Sequence, residues 1–386
     1  MSDRKVVVSA RNATLFNADG STHTDLFAAN GTLLLGHGNP AVVAALAEQN
    51  EKVWITGRLD TDIRRRAIEL TEQILPEGYH VAGFYSTGME AAEFALRASR
   101  VLTGRPDFVG FARCMHGKSI ATAFLAWDAP YGRALPGFLR LPFPATGQAS
   151  TALEQLETVI ARRETAAVIL EAVQGSSGGA VVDHDVCRSL TDLCRAHGTL
   201  LVVDEILTGF HRSGPLFFYS RLPLEPDIIL AGKSMGNGFP VSAVLMRRGV
   251  EIKPHMLPYS TYAENALAAA AVVGTLREMK RLPIVQMAEA VGDRIRSHLS
   301  RSAPDSYIAT IFGAMCIIDV RDSAVAQRIA DTCYQRGVLI SHSGSILRLL
   351  PPVTIEQPQL EQALDVLDAA IRDSAGHDAP IQASNQ

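Results

Sequence analysis

The 386-residue chain predicts an α/β fold: a large domain with a mostly parallel sheet flanked by helices, plus a smaller α+β domain. Three observations predict it. From about residue 81, apolar runs rich in β-branched residues alternate with helical segments, the pattern of strands covered on both faces. Two of these runs, Leu201-Val202-Val203-Asp204-Glu205 and Ile229-Leu230-Ala231-Gly232-Lys233-Ser234, pass from an apolar strand to an ionisable group. The length exceeds what one ordinary core serves, so two domains, or one large domain with an appendage, are expected.

Residues 1 to about 40 read as short strands and turns, with Asn17-Ala18-Asp19-Gly20 as a turn. Pro40 opens a helix running into the 50s, as proline favours a first helical turn. A second helix covers about 61–75. Strands follow at 81–85, 107–112, 166–171, 199–204, 227–231 and 241–246, with helices at 89–102, 151–163, 184–197 and 264–280. The remainder alternates helix (284–301), strands (306–310, 314–320), helix (322–336), strands (338–341, 346–350) and helix (357–372). We therefore expect an N-terminal segment over 1–50 packing with the small domain. A large domain over 51–275, a small domain over 276–373 and a disordered tail over 374–386 complete the division.

Hydrophobic residues make up 47% and charged residues 20%, values of a globular enzyme rather than a disordered chain. A net charge of −4 without a basic cluster speaks against nucleic acid or an anionic membrane surface. The N-terminus does not read as a signal peptide, and no apolar run approaches the ~20 residues of a membrane span. Five cysteines, odd in number and without CxxC spacing, read as buried thiols in a reducing cytosol, not zinc ligands. The expected location is cytoplasmic.

Asp204 and Lys233 fall at carboxyl ends of strands, where open α/β sheets place ligands. One acid and one amine presented this way suit pyridoxal phosphate. The amine forms a Schiff base, and the acid keeps the pyridine nitrogen protonated so the ring can accept electrons. Gly232-Lys233-Ser234 is not a P-loop, because the position that requires the first glycine is Asp227. The apolar and glycine-rich flanks of Lys233, through Met235-Gly236-Asn237-Gly238-Phe239-Pro240, suit a buried amine and close approach by a bulky cofactor. Ser86-Thr87-Gly88-Met89 joins a strand to an Ala-rich helix. Its free N–H groups and hydroxyls suit a phosphate. The same residues also read as a plain N-cap, with Glu90 closing a capping box.

Together these segments resemble the class III, fold-type I pyridoxal phosphate-dependent aminotransferases. That family includes ornithine, acetylornithine and ω-amino acid transaminases and glutamate-1-semialdehyde aminomutase. The similarity runs from Gly36-His37-Gly38-Asn39-Pro40 to Leu347-Arg348-Leu349-Leu350-Pro351-Pro352, and is strongest in DEILTGFHRSG (204–214) and AGKSMGNGFPVSA (231–243). The resemblance implies that Lys233 carries the cofactor and shuttles a proton. It implies that Asp204 binds the ring nitrogen and that Ile206 presses on one ring face. Thr87, Gly88 and Met89, beside Ser86, match the phosphate loop. Thr261 matches a threonine that reaches the phosphate of the neighbouring subunit, which implies a homodimer. Glu171, Gln174 and Gly175 match a Glu-Pro-Val-Gln-Gly motif with Ala172 in place of proline, and His116-Gly117 matches a His-Gly pair.

The departures from the family pattern are informative. Met115 stands where a ring-stacking aromatic is usual, and a thioether covers a ring less rigidly. Leu207 stands where many members have a glutamine bonded to the cofactor's phenolic oxygen. Ala263-Glu264-Asn265-Ala266 replaces the usual Gly-Gly-Asn-Pro or Ser-Gly-Asn-Pro. Arg348 matches an arginine that binds a substrate α-carboxylate, a task suited to a guanidinium fork; a domain-interface salt bridge is its other reading. The glutamate that pairs with this arginine in 2-oxoglutarate-using relatives is replaced by Ser176 and Ser177. Lys118 takes the position of a second carboxylate-binding arginine, Arg58 falls in a segment that often lines the substrate pocket, and Arg212 reads as structural.

The function expected is a ping-pong aminotransferase acting between an amino acid or ω-amine and a keto acid or aldehyde. The alternatives are an aminomutase, racemase or decarboxylase on the same fold, and a non-catalytic cofactor-binding protein. The last is disfavoured because Lys233 and Asp204 are both present and no helix-turn-helix segment precedes the fold.

Overall fold

The computed structural model describes residues 5–57, 59–127, 135–250, 252, 260–301 and 307–375. The chain opens with an antiparallel meander of β1 (Val7–Arg11), β2 (Thr14–Asn17) and β3 (Thr22–Asp25). The Asn17–Gly20 turn closes through Gly20 N–H to Asn17 O at 3.0 Å, with Gly20 at φ 83°, where glycine carries no Cβ penalty. A single four-residue turn, α1 (Ala28–Gly31), leads to α2 (Pro40–Asn50) and α3 (Asp62–Glu72). Asn39 caps α2 by accepting from Ala41 N–H at 3.0 Å, and Pro40 fills the first position, where no N–H is required.

The large sheet follows. Its elements in chain order are β4 (Tyr79–Tyr85), α4 (Gly88–Thr103), β5 (Asp107–Phe111), α5 (Ile120–Phe124) and β6 (Phe138–Leu141). Then come α6 (Ala149–Ile160), β7 (Thr165–Leu170), α7 (His184–His197), β8 (Leu200–Asp204), β9 (Ile228–Gly232), β10 (Ser242–Arg247) and α8 (Ala266–Arg281). The spatial order is β4-β10-β9-β8-β7-β5-β6, with β10 antiparallel to both neighbours and the β9-to-β6 run parallel.

Side-chain alternation divides the core between the two sheet faces. Val168, Leu170, Leu201, Val203 and Ile229 join one apolar cluster, while Ala167, Ile169, Val202, Ile228 and Leu230 join the other with α4. Every residue of β7 is buried, which is why these strands read as continuous apolar runs. The carboxyl ends of β4, β5, β7, β8 and β9 all open on one edge. That shared edge brings together residues some 150 positions apart.

The remaining elements are α9 (Ile284–Leu299), β11 (Ile308–Phe312), β12 (Met315–Asp319), α10 (Ser323–Gln335), β13 (Val338–Leu339), β14 (Ser341–Ser343), β15 (Ile346–Leu349) and α11 (Gln357–Ala375). They form an antiparallel sheet, β11-β12-β15-β14. The two-residue strand β13 instead pairs in parallel with β3, so residues from both ends of the chain share one sheet.

The structure adds α5 and β6, both too short to show a period. It also divides the expected 338–341 strand, and it carries α11 to Ala375, two residues into the segment expected to be disordered. The rest of that tail lies outside the described residues. Among the described residues, no helix is long and apolar enough to cross a membrane and no His/Cys/Asp/Glu group could hold a metal. All five cysteines are free and buried, as expected.

Candidate active site

Lys233 follows the last residue of β9 and begins a tight turn over Lys233–Gly236. Its φ of 44° lies in the left-handed region that lysine rarely occupies, and such strain concentrates at functional positions. Burial pushes its amine down to about 8; the charges of Asp204 and Glu171 oppose this, and those of Arg348 and Arg212 add to it. The side chain lines a cavity of about 380 Å³, whose walls also include Ser86, Thr87, Gly88, Met115 and Ile206.

Asp204, the last residue of β8, is held from two sides. Its Oδ2 lies 2.8 Å from His116 Nδ1, and its Oδ1 accepts from Ile206 N–H at 3.0 Å. Both partners line the cavity, so the carboxylate is fixed directly behind its wall. His116 is buried, and its Nε2 has no partner among the described residues. Glu171, just beyond β7, stands behind the wall too and accepts from Met115 N–H at 2.8 Å. Burial and then the Asp204 charge raise its carboxyl to about 8. Gln174 donates to Ala112 O at 2.7 Å, so the 171–175 segment braces the loop that carries Met115 and His116.

The amino end of α4 is capped, with Glu90 reaching the residue before the cap rather than closing a capping box on Thr87. Thr87 Oγ1 caps the helix through Glu90 N–H at 3.1 Å, and Glu90 Oε2 accepts from Ser86 N–H at 2.9 Å. The cap leaves the N–H groups of Gly88 and Met89 without partners among the described residues, and both residues line the cavity. A Cβ on Gly88 would stand 2.6 Å from Ile206 Cδ1, so glycine lets this helix end close on the wall.

Arg348 extends from β15. Its Nη2 donates to Ser341 Oγ at 2.8 Å and to Asn30 Oδ1 at 3.4 Å, and the guanidinium lies 5.8 Å from the Phe27 ring centre. No carboxylate pairs with it among the described residues, so the domain-interface salt bridge is not formed. Burial lowers its pKa, and its Nε is buried without a partner among the described residues. Arg212 is fully buried, with Nη1 donating to Ala314 O and Pro351 O and Nη2 to Gly31 O, a structural role that joins three segments.

Other expected residues stand elsewhere. Lys118 is exposed and lies off the cavity wall, Thr261 is exposed and absent from its own chain's cavity, and Arg58 lies outside the described residues. Leu207 is buried, with its methyls toward Gly175 and Gly31 rather than lining the cavity. Thr32 and the Gly238–Val241 segment line the cavity although the sequence did not single them out as contacts. The glycine-rich stretch after Lys233 was the available signal for the second group; nothing in the sequence marked Thr32.

This donor set fits pyridoxal phosphate. A desolvated amine, a carboxylate anchored away from solvent, and a helix end with two unpaired N–H groups and adjacent hydroxyls surround one cavity.

Comparison with known proteins agrees. The model of the family described as aminotransferase class-III matches residues 2–371. The chain is 34% identical to a 2-aminoadipate transaminase of Pseudomonas putida, covering 94% of each chain. It is 30% identical to an acetylornithine aminotransferase of Methanosarcina mazei, over 95% of this chain and 91% of the relative. It superposes on the ornithine aminotransferase of Toxoplasma gondii, described with partial occupancy of pyridoxal phosphate at its active site. There the TM-score is 0.86 at 26% identity, over 98% of this chain and 93% of that one.

Proposed function

The chain belongs to the class III aminotransferases, pyridoxal phosphate-dependent enzymes of fold-type I, and on that premise we propose that Arg348 selects substrates bearing a carboxylate beside the reacting carbon. The enzyme moves an amino group between an amino donor and a keto acid. The observation that carries the site assignment is the convergence of Lys233, the Asp204–His116 pair and the open end of α4 on one cavity.

Bound there, pyridoxal phosphate supplies an aldehyde that condenses with amines and a ring that takes up the electron pair released at the substrate's α-carbon. Lys233 would hold the aldehyde carbon, and its Nζ would take the α-proton and return it. The depressed amine pKa leaves a usable neutral fraction near pH 8 for that task. Asp204 would retain the proton on the ring nitrogen, with its orientation fixed by His116 and by Ile206 N–H. Ile206 and Met115 would exclude water from the ring, while Gly88 and Met89 N–H groups with Ser86 and Thr87 would bind phosphate.

Among the described residues Arg348 lacks the carboxylate partner that would have to move aside, which supports a substrate with a single α-carboxylate in both half-reactions. The relative named for 2-aminoadipate, whose amino group stands beside a carboxylate, supports this reading; acetylornithine, for which another is named, carries its free amine away from its carboxylate. Thr261 would reach the phosphate of a second subunit. Its exposure supports a homodimer, as do the exposed apolar side chains Trp54, Met89, Ile120 and Tyr262. A cytoplasmic location suits five unpaired thiols.

The test is a half-reaction in the spectrophotometer. Cofactor-loaded protein is mixed with single amino acids and ω-amines without a keto acid. Conversion of the cofactor's spectrum from aldehyde to amine form by α-amino acids is expected. Conversion by ω-amines alone would overturn the role of Arg348.

A further inference from the structure

Ala28, Ala29 and Asn30 have φ of 46°, 49° and 62°, and Gly31 continues at 77°. Three successive non-glycine residues in the left-handed region form a conformation that side chains resist. The surroundings hold it in place. Asp25 Oδ1 accepts from Phe27 N–H at 2.9 Å and Ala28 N–H at 2.8 Å, and its Oδ2 lies 2.8 Å from His37 Nε2. Arg212 donates to Gly31 O at 3.1 Å. Strain that is over-determined in this way marks an element whose position matters.

The turn and its flanks set two side chains against Arg348 and one on the cavity wall. Phe27 lies against the guanidinium of Arg348, Asn30 accepts from its Nη2, and Thr32 lines the cavity. Asn30 is exposed, and its Nδ2 has no acceptor among the described residues. Its 3.4 Å contact with Arg348 is long, and so is easily exchanged.

We propose that Asn30 is the specificity-determining partner of Arg348, a neutral amide that turns to donate its Nδ2–H to a substrate carboxylate as the guanidinium binds it. This rests on the reading of Arg348 as the carboxylate site. A carboxylate side chain at this position would pair with Arg348 and repel the substrate. An amide can accept from the empty guanidinium and donate to the filled one. A cation with only neutral partners also disfavours amines that carry no carboxylate, because they leave it unsatisfied. Asparagine is among the few side chains that tolerate the left-handed conformation required here.

The test uses Asn30→Asp, which is isosteric and tolerates the same backbone, and Asn30→Ala. Butyrate and 3-phenylpropionate binding to holoenzyme is measured by calorimetry, and kcat/KM is compared for L-2-aminobutyrate and 2-aminobutane. Asn30→Asp should weaken monocarboxylate binding about tenfold or more, and raise the 2-aminobutane to L-2-aminobutyrate ratio, with Tm little changed. Asn30→Ala should weaken binding about threefold. Monocarboxylate affinity within twofold of wild type in Asn30→Asp, while Arg348→Gln loses it, overturns the proposal for Asn30. Affinity retained in Arg348→Gln, or absent from the wild type, overturns the Arg348 reading itself.

Discussion

His116 Nδ1 and Asp204 Oδ2 stand 2.8 Å apart, with both side chains shut off from solvent. The contact ties the loop after β5 to the end of β8. It also leaves Asp204 Oδ1 to the backbone of Ile206, so the carboxylate cannot rotate without breaking two hydrogen bonds. Asp204→Asn removes the charge and keeps the shape. We predict a loss in kcat of about 10²–10³-fold at saturating cofactor. His116 acts through Asp204, so His116→Asn should lower kcat less and shift its pH profile. Equal losses with unshifted profiles would contradict a positioning role.

Lys233 and Glu171 impose opposite pH dependences on the cofactor-free protein. The amine is lowered from 10.5 to about 8, so between those values the unfolded chain binds more protons and stability rises with pH. Glu171 is raised from 4.5 to about 8, so over that window the folded chain binds more protons and stability falls with pH. Denaturant titrations should show Lys233→Met more stable than wild type at pH 7, with the advantage shrinking toward pH 10.5. Glu171→Gln should gain on wild type from pH 4.5 to 8. Parallel curves for all three proteins would refute both assignments.

Leu207 depends on the absence of a side chain at Gly175. A Cβ there would stand 2.2 Å from Leu207 Cδ2. Gly175→Ala should cost about 1–3 kcal/mol by overpacking. Combined with Leu207→Ala, which opens space, the double variant should melt higher than the sum of the two single losses predicts. Strict additivity would mean that the two positions do not press on each other.

Thr261 tests the proposed assembly. Sedimentation should give twice the mass of one chain, and Thr261→Ala should keep that mass while weakening pyridoxal phosphate retention about tenfold. Unchanged retention would remove Thr261 from the phosphate site.

The large sheet was legible because its strands are buried on both faces. Val202 and Val203 feed opposite clusters, yet both read as apolar in the sequence. By contrast, β6 (Phe138–Leu141) spans only two strand periods and α5 (Ile120–Phe124) less than two helical turns, too little to stand out. Asp204 and Lys233 were legible because each ends an apolar run. The side-chain pairings were not: His116 was marked only by resemblance and its contact with Asp204 spans 88 positions, while the Asn30–Arg348 contact spans 318. The left-handed turn was hidden for another reason. Alanine carries no turn signal, and only the clamp by Asp25, His37 and Arg212 forces Ala28 and Ala29 into it.

The assignment of Lys233 as the residue that carries pyridoxal phosphate is tested most directly by chemical fixation. Borohydride locks an amine-bound aldehyde cofactor onto the lysine that holds it, and peptide mass mapping then locates the added mass. One modified site, Lys233, is expected, and none in Lys233→Ala. Modification of any other lysine as the principal site, or an unmodified Lys233 in an active, cofactor-loaded preparation, would contradict it.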